Sequence, residues 1–316
     1  MKDKNEIWYC IFNPTAGRRN YKSVWNEIES KLKDYEIDFD IYFTKSKKDA
    51  ENFTISKIGE GYRKFISIGG DGTVHEVVNG IMKQNKVPTD EIIMAVIPVG
   101  TGNDWAKHHG IVYNMDLLCN SILQNNTEKQ DVGLANFSKD GKHRSEYFNN
   151  VAGMAYDAFV VEELEKRKSK PNKFIYIFSV LLMLFRYKLQ KAKVNIEGNE
   201  IRKKFYTINV GICKYSGGGM SLVPHARHND GKLAVTLAGP LKKLDILLNT
   251  YRFYNESLLK HPLIESYQTS KLEVTSMEAD PIYLELDGES AGHNPVIFSI
   301  VENGLSFISF KCKSKH

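Results

Sequence analysis

Three short glycine-bearing segments, each within a few residues of the end of a run of β-branched or aromatic residues, constrain the fold of the first half of the chain more than any other feature. Asn13-Pro14-Thr15-Ala16-Gly17 follows a run over 7–12, Gly69-Gly70-Asp71-Gly72-Thr73 a run over 65–68, and Gly100-Thr101-Gly102-Asn103-Asp104 a run over 92–96. A further run over 39–43 ends at Thr44. Between these strand-like runs, residues 23–32, 50–59 and 74–82 repeat apolar side chains at helical spacing. Strand and helix in alternation predict right-handed crossovers and a mostly parallel α/β sheet with helices on both faces. Ligands of such sheets bind at the carboxyl ends of the strands, where all three glycine segments fall.

Glycine permits positive φ and close backbone approach. Amides in these loops can therefore point at an anion while the following helix offers its positive end. One such loop is ordinarily only a tight turn. Three in phase, two of them carrying an aspartate, predict a polyphosphate site. Neither the P-loop pattern nor GxGxxG occurs, which weighs against a Walker-type or Rossmann dinucleotide site.

From about residue 128 the pattern changes. Strand-like runs over 147–151, 194–196, 206–211, 233–237, 272–276, 282–286 and 298–301 are separated by turns, with helices expected over 157–168, 173–189 and 242–255. The expectation is an α/β nucleotide-binding domain over 1–130 and a mainly antiparallel β-sandwich with inserted helices over 131–316. The length of 316 residues, with 42% hydrophobic and 26% charged, suits about two globular domains and excludes disorder, collagen and coiled coil.

The net charge is +5, with 17 basic and 19 acidic residues in 1–133 against 26 and 19 in 134–316. That balance is far from the basic excess of a nucleic-acid binder, so no nucleic-acid partner is expected. The positive charge is concentrated. Residues 166–193 hold nine basic side chains and no acid, flanking an apolar run over 174–185. As a helix this 12-residue run would span ~18 Å, short of the ~30 Å hydrocarbon core, so it is not expected to cross a membrane. It fits an anionic membrane surface, where each cation contributes ~1 kcal/mol, or a buried helix preceded by a solvated basic loop.

Four scattered cysteines and an amino terminus of mixed charge lead us to expect a reducing, cytoplasmic location, with peripheral contact at the inner face of the membrane. The nine histidines show no zinc spacing, and His108-His109 cannot both face one ligand on a regular helix.

Asn13-Pro14-x-x-Gly17, the segment Gly69–Thr73 followed by Glu76 and Asn79-Gly80, and Gly100–Asp104 resemble the catalytic domain of the diacylglycerol kinase family, most closely its bacterial lipid kinases. GGDGT is shared with NAD kinases and is similar to the GGDG of phosphofructokinases. The Gly100–Asp104 element and the downstream Asp287-Gly288-Glu289 separate the lipid kinases from both. With Asn229-Asp230-Gly231, the resemblance covers nearly the whole chain.

The resemblance implies an ATP- and Mg²⁺-dependent kinase that phosphorylates a hydroxyl of diacylglycerol or a related lipid such as a sphingoid base. By similarity, Asn13, Gly17, Gly69, Gly70, Asp71, Gly72, Thr73, Val74 and His75 surround the nucleotide phosphates. Thr44, Gly100, Thr101 and Asn103 also meet the nucleotide. His75 departs from the small polar residue common among relatives. Asp71 and Asp104 would hold the catalytic Mg²⁺, which takes few protein carboxylates and keeps several waters. Glu289 is implied as the proton acceptor for the lipid hydroxyl, with Asp287 competing for that role.

A carboxylate with a reference pKa near 4 is a poor base for an alcohol, so it would orient the hydroxyl and take its proton late. The bland alternative for Asp287-Gly288 is a hairpin turn. Arg227, Asp230 and Lys232 resemble a structural Mg²⁺ site formed by two carbonyls and one carboxylate, or else a plain turn. A homodimer paired through the second domains is implied by the resemblance alone. NAD kinase is the alternative enzyme, although its ribose-gripping asparagine-glutamate pair is not recognisable. A non-catalytic, membrane-associated nucleotide-binding regulator is disfavoured because Asp71, Asp104, Asp287 and Glu289 are all present.

Overall fold

The computed structural model describes residues 3–166 and 183–311. Residues 173–182 of the expected helix and much of the basic stretch over 166–193 lie outside the described residues; of the remainder, 183–186 are helical and 187–189 are not. The chain divides into two compact units, 1–132 with 302–316, and 133–301.

The first unit alternates β1 (Trp8–Phe12), α1 (Tyr21–Asp34), β2 (Phe39–Phe43), α2 (Asp49–Gly59), β3 (Lys64–Gly69), α3 (Asp71–Lys83) and β4 (Ile93–Pro98), then α4 (Asp104–His109) and α5 (Met115–Leu123). β1 pairs in parallel with β2 and β3, and β3 with β4. Every residue of β1 is buried, as expected of a central parallel strand covered on both faces. On α1, Val24, Ile28 and Leu32 recur every fourth residue and pack into the core with Ile66, Ile68 and Leu118. The Asn20 side chain caps that helix by accepting the Lys22 N–H.

The second unit is antiparallel. It comprises β5 (Thr127–Lys139, beginning in the first unit), β6 (Lys142–Phe148), β7 (Val151–Ala155), α6 (Tyr156–Glu165), β8 (Gln190–Ile196), β9 (Asn199–Phe205), β10 (Thr207–Gly211), the short pair β11 (Tyr215–Ser216) and β12 (Met220–Ser221), β13 (Leu233–Ala238), α7 (Lys243–Asn249), β14 (Ile264–Thr269), β15 (Lys271–Ser276), β16 (Tyr283–Leu286) and β17 (Glu289–Ile308). One sheet runs β14-β13-β10-β7-β16-β17 and another β9-β8-β15-β17, so β17 belongs to both. The start of β17 pairs with β16 and its middle with β15. β10 and β13 are buried throughout, whereas β8 alternates, with Ala192, Val194 and Ile196 facing the core.

Two expectations need correction. The sandwich does not extend to the carboxyl terminus. Ser306 and Phe307 pair in parallel with Ile93 and Met94 of β4, and Phe307 packs edge-on to Trp105 at 5.2 Å, so 302–311 belong to the first unit. The run over 147–151 is not one strand either. It breaks at Asn149-Asn150, whose amides serve a carboxylate instead of a ladder.

Candidate active site

The loops expected at the carboxyl ends of β1, β3 and β4 meet one another. Asn13 donates through Nδ2 to Thr73 Oγ1 at 3.3 Å, and its Oδ1 accepts the Thr15 N–H and O–H at 3.0 and 2.8 Å. Gly17 has φ +73°, and a Cβ there would lie 2.1 Å from the Val99 carbonyl oxygen. The amides of Val99 and Gly100 both donate to the Gly69 carbonyl. A Cβ on Gly100 would come within 2.4 Å of the Gly70 Cα, so these two backbones touch only because both residues lack side chains. Thr44, at the end of β2, donates its N–H to the Phe12 carbonyl beside the first loop.

Asp71 and Asp104 come together on this edge. A Cβ on Gly102 would stand 3.0 Å from Asp71 Oδ2 and 3.8 Å from Asp104 Oδ2, so both carboxylates border one small space. Asp71 Oδ1 accepts the Trp105 N–H at 3.1 Å, and Asp104 is 4% exposed. Asn103 occupies the left-handed region (φ +55°) and donates through Nδ2 to the Gly100 carbonyl, while its buried Oδ1 has no hydrogen-bond partner. Two convergent carboxylates suit a hard divalent cation, to which an amide oxygen such as Asn103 Oδ1 can also serve as ligand, and the glycine-only backbone contacts suit the phosphates of a nucleotide. Asp71, Asp104 and the surrounding loop backbone therefore fit Mg²⁺ and ATP.

Other motif residues do different work. His75 is buried, with its ring Nε2 3.3 Å from Asn79 Nδ2. Gly80 lets α3 approach α2, since a Cβ there would sit 2.5 Å from the Thr54 Cβ. Glu76 accepts the Lys48 and Ala50 amides at 2.8 and 3.1 Å, supplying the α2 N-terminus with acceptors that its own cap position lacks. His109 is a core histidine whose Nε2 lies 2.7 Å from Gln130 Oε1, and Gln130 also accepts the Trp105 indole N–H at 2.8 Å. These supports for α4 have no motif signature.

In the second unit, β16 ends in a tight turn with Asp287 at φ +51° and Gly288 at φ +87°. The buried Asp287 carboxylate accepts three backbone amides, from Asn149 (3.0 Å), Asn150 (2.9 Å) and Val151 (3.1 Å). Its own N–H donates to the Val151 carbonyl. Asp287 is thus committed to holding the turn, and Glu289, two residues on, is partly exposed. Glu285, buried two residues before, was not among the expected site residues. A lone acid between Leu284 and Leu286 is the signal that marks it.

At the expected structural metal site, Asp230 Oδ1 accepts the Lys232 N–H at 3.1 Å and Oδ2 the Gln268 amide at 3.2 Å. Gly231 has φ +70°, and Arg227 and Lys232 are exposed. These contacts are those of a turn closed by its own aspartate.

Residues 8–135 match the diacylglycerol kinase catalytic domain, and residues 150–309 match the YegS C-terminal NAD kinase beta sandwich-like domain. A diacylglycerol kinase of Staphylococcus carnosus (strain TM300) is 28% identical over 291 residues, 91% of this chain and 90% of that protein. One from Staphylococcus aureus (strain MRSA252) is 28% identical over 298 residues, covering 93% and 90%. A solved diacylglycerol kinase structure from Bacillus anthracis str. Sterne shares the fold, with a TM-score of 0.70 at 20% identity, covering 96% of this chain and 97% of that one. With both domain models matched in order, the chain belongs to the diacylglycerol kinase catalytic-domain family, among its bacterial lipid kinases.

Proposed function

We propose that the protein transfers the γ-phosphoryl group of ATP, with Mg²⁺, to a hydroxyl of diacylglycerol or a related lipid. The observation that carries this function is the convergence of Asp71 and Asp104 beside Gly102, inside three loops packed backbone to backbone. Asp71 and Asp104 would hold the Mg²⁺, which when bound neutralises charge on the transferring phosphates. The glycine-loop backbone that follows β3 binds and orients the triphosphate.

The acceptor oxygen bonds to the γ-phosphorus, the bond from that phosphorus to the β–γ bridging oxygen breaks, and ADP leaves. Glu289 orients the lipid hydroxyl and takes its proton late, as suits a loose transition state. Asp287 keeps the turn in place through the three amides at 149–151 and is not the base.

A bilayer-borne acceptor also requires contact with the membrane. The positive charge of 166–193 supports docking on anionic lipid at the cytoplasmic face. Among the described residues, no helix is long and apolar enough to cross a membrane.

Incubation with γ-labelled ATP, Mg²⁺ and either diacylglycerol in phosphatidylglycerol vesicles or NAD tests the function. Labelled phosphatidic acid, lost on chelation of Mg²⁺, is the expected product. Label appearing only in NADP would overturn it.

A further inference from the structure

Glu285 lies in β16, every residue of which except Tyr283 is buried, and is itself 2% exposed. An acid in that position must find polar partners or stay neutral. Its Oε2 accepts the Gly288 N–H at 2.7 Å, directly within the turn that carries Glu289. Across the ladder its partner is Gly153 of β7. A Cβ on Gly153 would lie 2.4 Å from Glu285 Oε1, 2.8 Å from Asp157 Cβ and 3.3 Å from Asp157 Oδ2. The space left by the missing side chain is therefore where two carboxyl groups meet.

Asp157 projects from the first turn of α6, and its Oδ2 accepts the Thr207 O–H at 2.9 Å and the Asn209 side-chain N–H from β10. Neither carboxyl forms an ion pair among the described residues. The groups facing the pair are Asp287 from the turn, the Tyr187 phenol from the segment before β8 and the Tyr206 phenol beside β10, together with the neutral Thr207 and Asn209. None is a cation.

We propose that Glu285 is a positioning residue for phosphoryl transfer: buried beside Asp157 across Gly153, it holds the Gly288 N–H and so fixes the turn that aims Glu289. This rests on the reading of Glu289 as the base. Burial first, and then the Asp157 charge, push the Glu285 carboxyl well above the usual range, and burial raises Asp157 as well. Thr207 and Asn209 both donate to Asp157, which favours its anion and leaves the proton on Glu285. Asp287 and Gly288 both have positive φ, so the turn depends on what grips it: the 149–151 amides on one side and Glu285 on the other. Loss of the Glu285 proton sets its charge against the Asp157 and Asp287 carboxylates, and that repulsion strains the turn even though the Gly288 N–H still has its acceptor.

A carboxyl raised in the folded state binds its proton more tightly there than when unfolded. Its stabilising effect is complete at acid pH and is lost as pH rises from the ordinary carboxylate value toward the folded one. Glu285→Gln keeps the shape and hydrogen-bonding pattern of the neutral acid and cannot titrate.

The experiment compares wild type, Glu285→Gln and Glu285→Ala in kcat, KM for ATP and thermal midpoint across pH 5–10. Glu285→Gln is expected to keep neutral-pH kcat, move the alkaline limb of kcat upward by about one pH unit or more, and flatten the fall of the thermal midpoint with pH. Glu285→Ala is expected to lower kcat by about 10- to 100-fold with KM for ATP unchanged. Superimposable alkaline limbs and melting profiles for wild type and Glu285→Gln, or wild-type kcat in Glu285→Ala, would overturn the proposal. The melting profiles need no turnover, so they test the carboxyl pair even where the assignment of Glu289 fails on its own variant.

Discussion

Asp71 Oδ1 accepts the backbone N–H of Trp105 at 3.1 Å, tying the first residue of α3 to the first turn of α4. Its other oxygen stays at the Gly102 space beside Asp104. Asp71→Asn keeps an acceptor for Trp105 and removes only the charge offered to the cation. Phosphoryl transfer should fall by at least about 100-fold, while the thermal midpoint stays close to wild type. A variant that melts much earlier would instead mean that the charge is structural.

The contact between Gly70 and Gly100 predicts a sharp contrast between two glycines. Gly100→Ala forces a methyl to 2.4 Å from backbone that cannot swing aside, and should cost about 1–3 kcal/mol and most of the ATP affinity. Gly59→Ala, at the last residue of α2 with open space around its Cβ, should stabilise by about 0.5–1 kcal/mol and leave nucleotide binding unchanged. Denaturant melts and ATP titration of both variants check the pair.

Glu76 reaches from α3 to the two amides at the start of α2. Glu76→Ala should destabilise the protein by about 1 kcal/mol, in the range of a lost helix cap, and Glu76→Gln should recover part of it. Chemical denaturation of the three proteins measures the difference.

The first unit was largely legible in the sequence because its signals are local. Buried strands such as Trp8–Phe12 are continuous apolar runs, and Val24, Ile28 and Leu32 mark one helix face. The glycine loops were legible for the same reason. What escaped was set by partners distant in sequence. Residues 302–311 rejoin the first unit through Phe307 meeting Trp105, 202 positions apart. β5 is half-polar on the pattern of its thirteen residues and hides its strand character. The roles within Asp287-Gly288-Glu289 also needed the fold. Nothing in the triplet says which acid is spent on backbone amides, and the three donors come from 149–151.

That division of labour yields its own prediction. Asp287→Ala orphans three amides and leaves a non-glycine at positive φ, so it should lose about 2–4 kcal/mol of stability together with activity. Thermal melts alongside kinase assays would show whether the two losses travel together.

The most direct test is Glu289→Gln, with ATP–Mg²⁺ binding measured by calorimetry and transfer to diacylglycerol in anionic vesicles measured in parallel. Glu289 is partly exposed at the start of β17, and the variant should fold and bind nucleotide like wild type. Its kcat is predicted to fall by at least about 100-fold. A kcat within twofold of wild type at equal nucleotide affinity would contradict the assignment of Glu289 as the group that takes the acceptor proton.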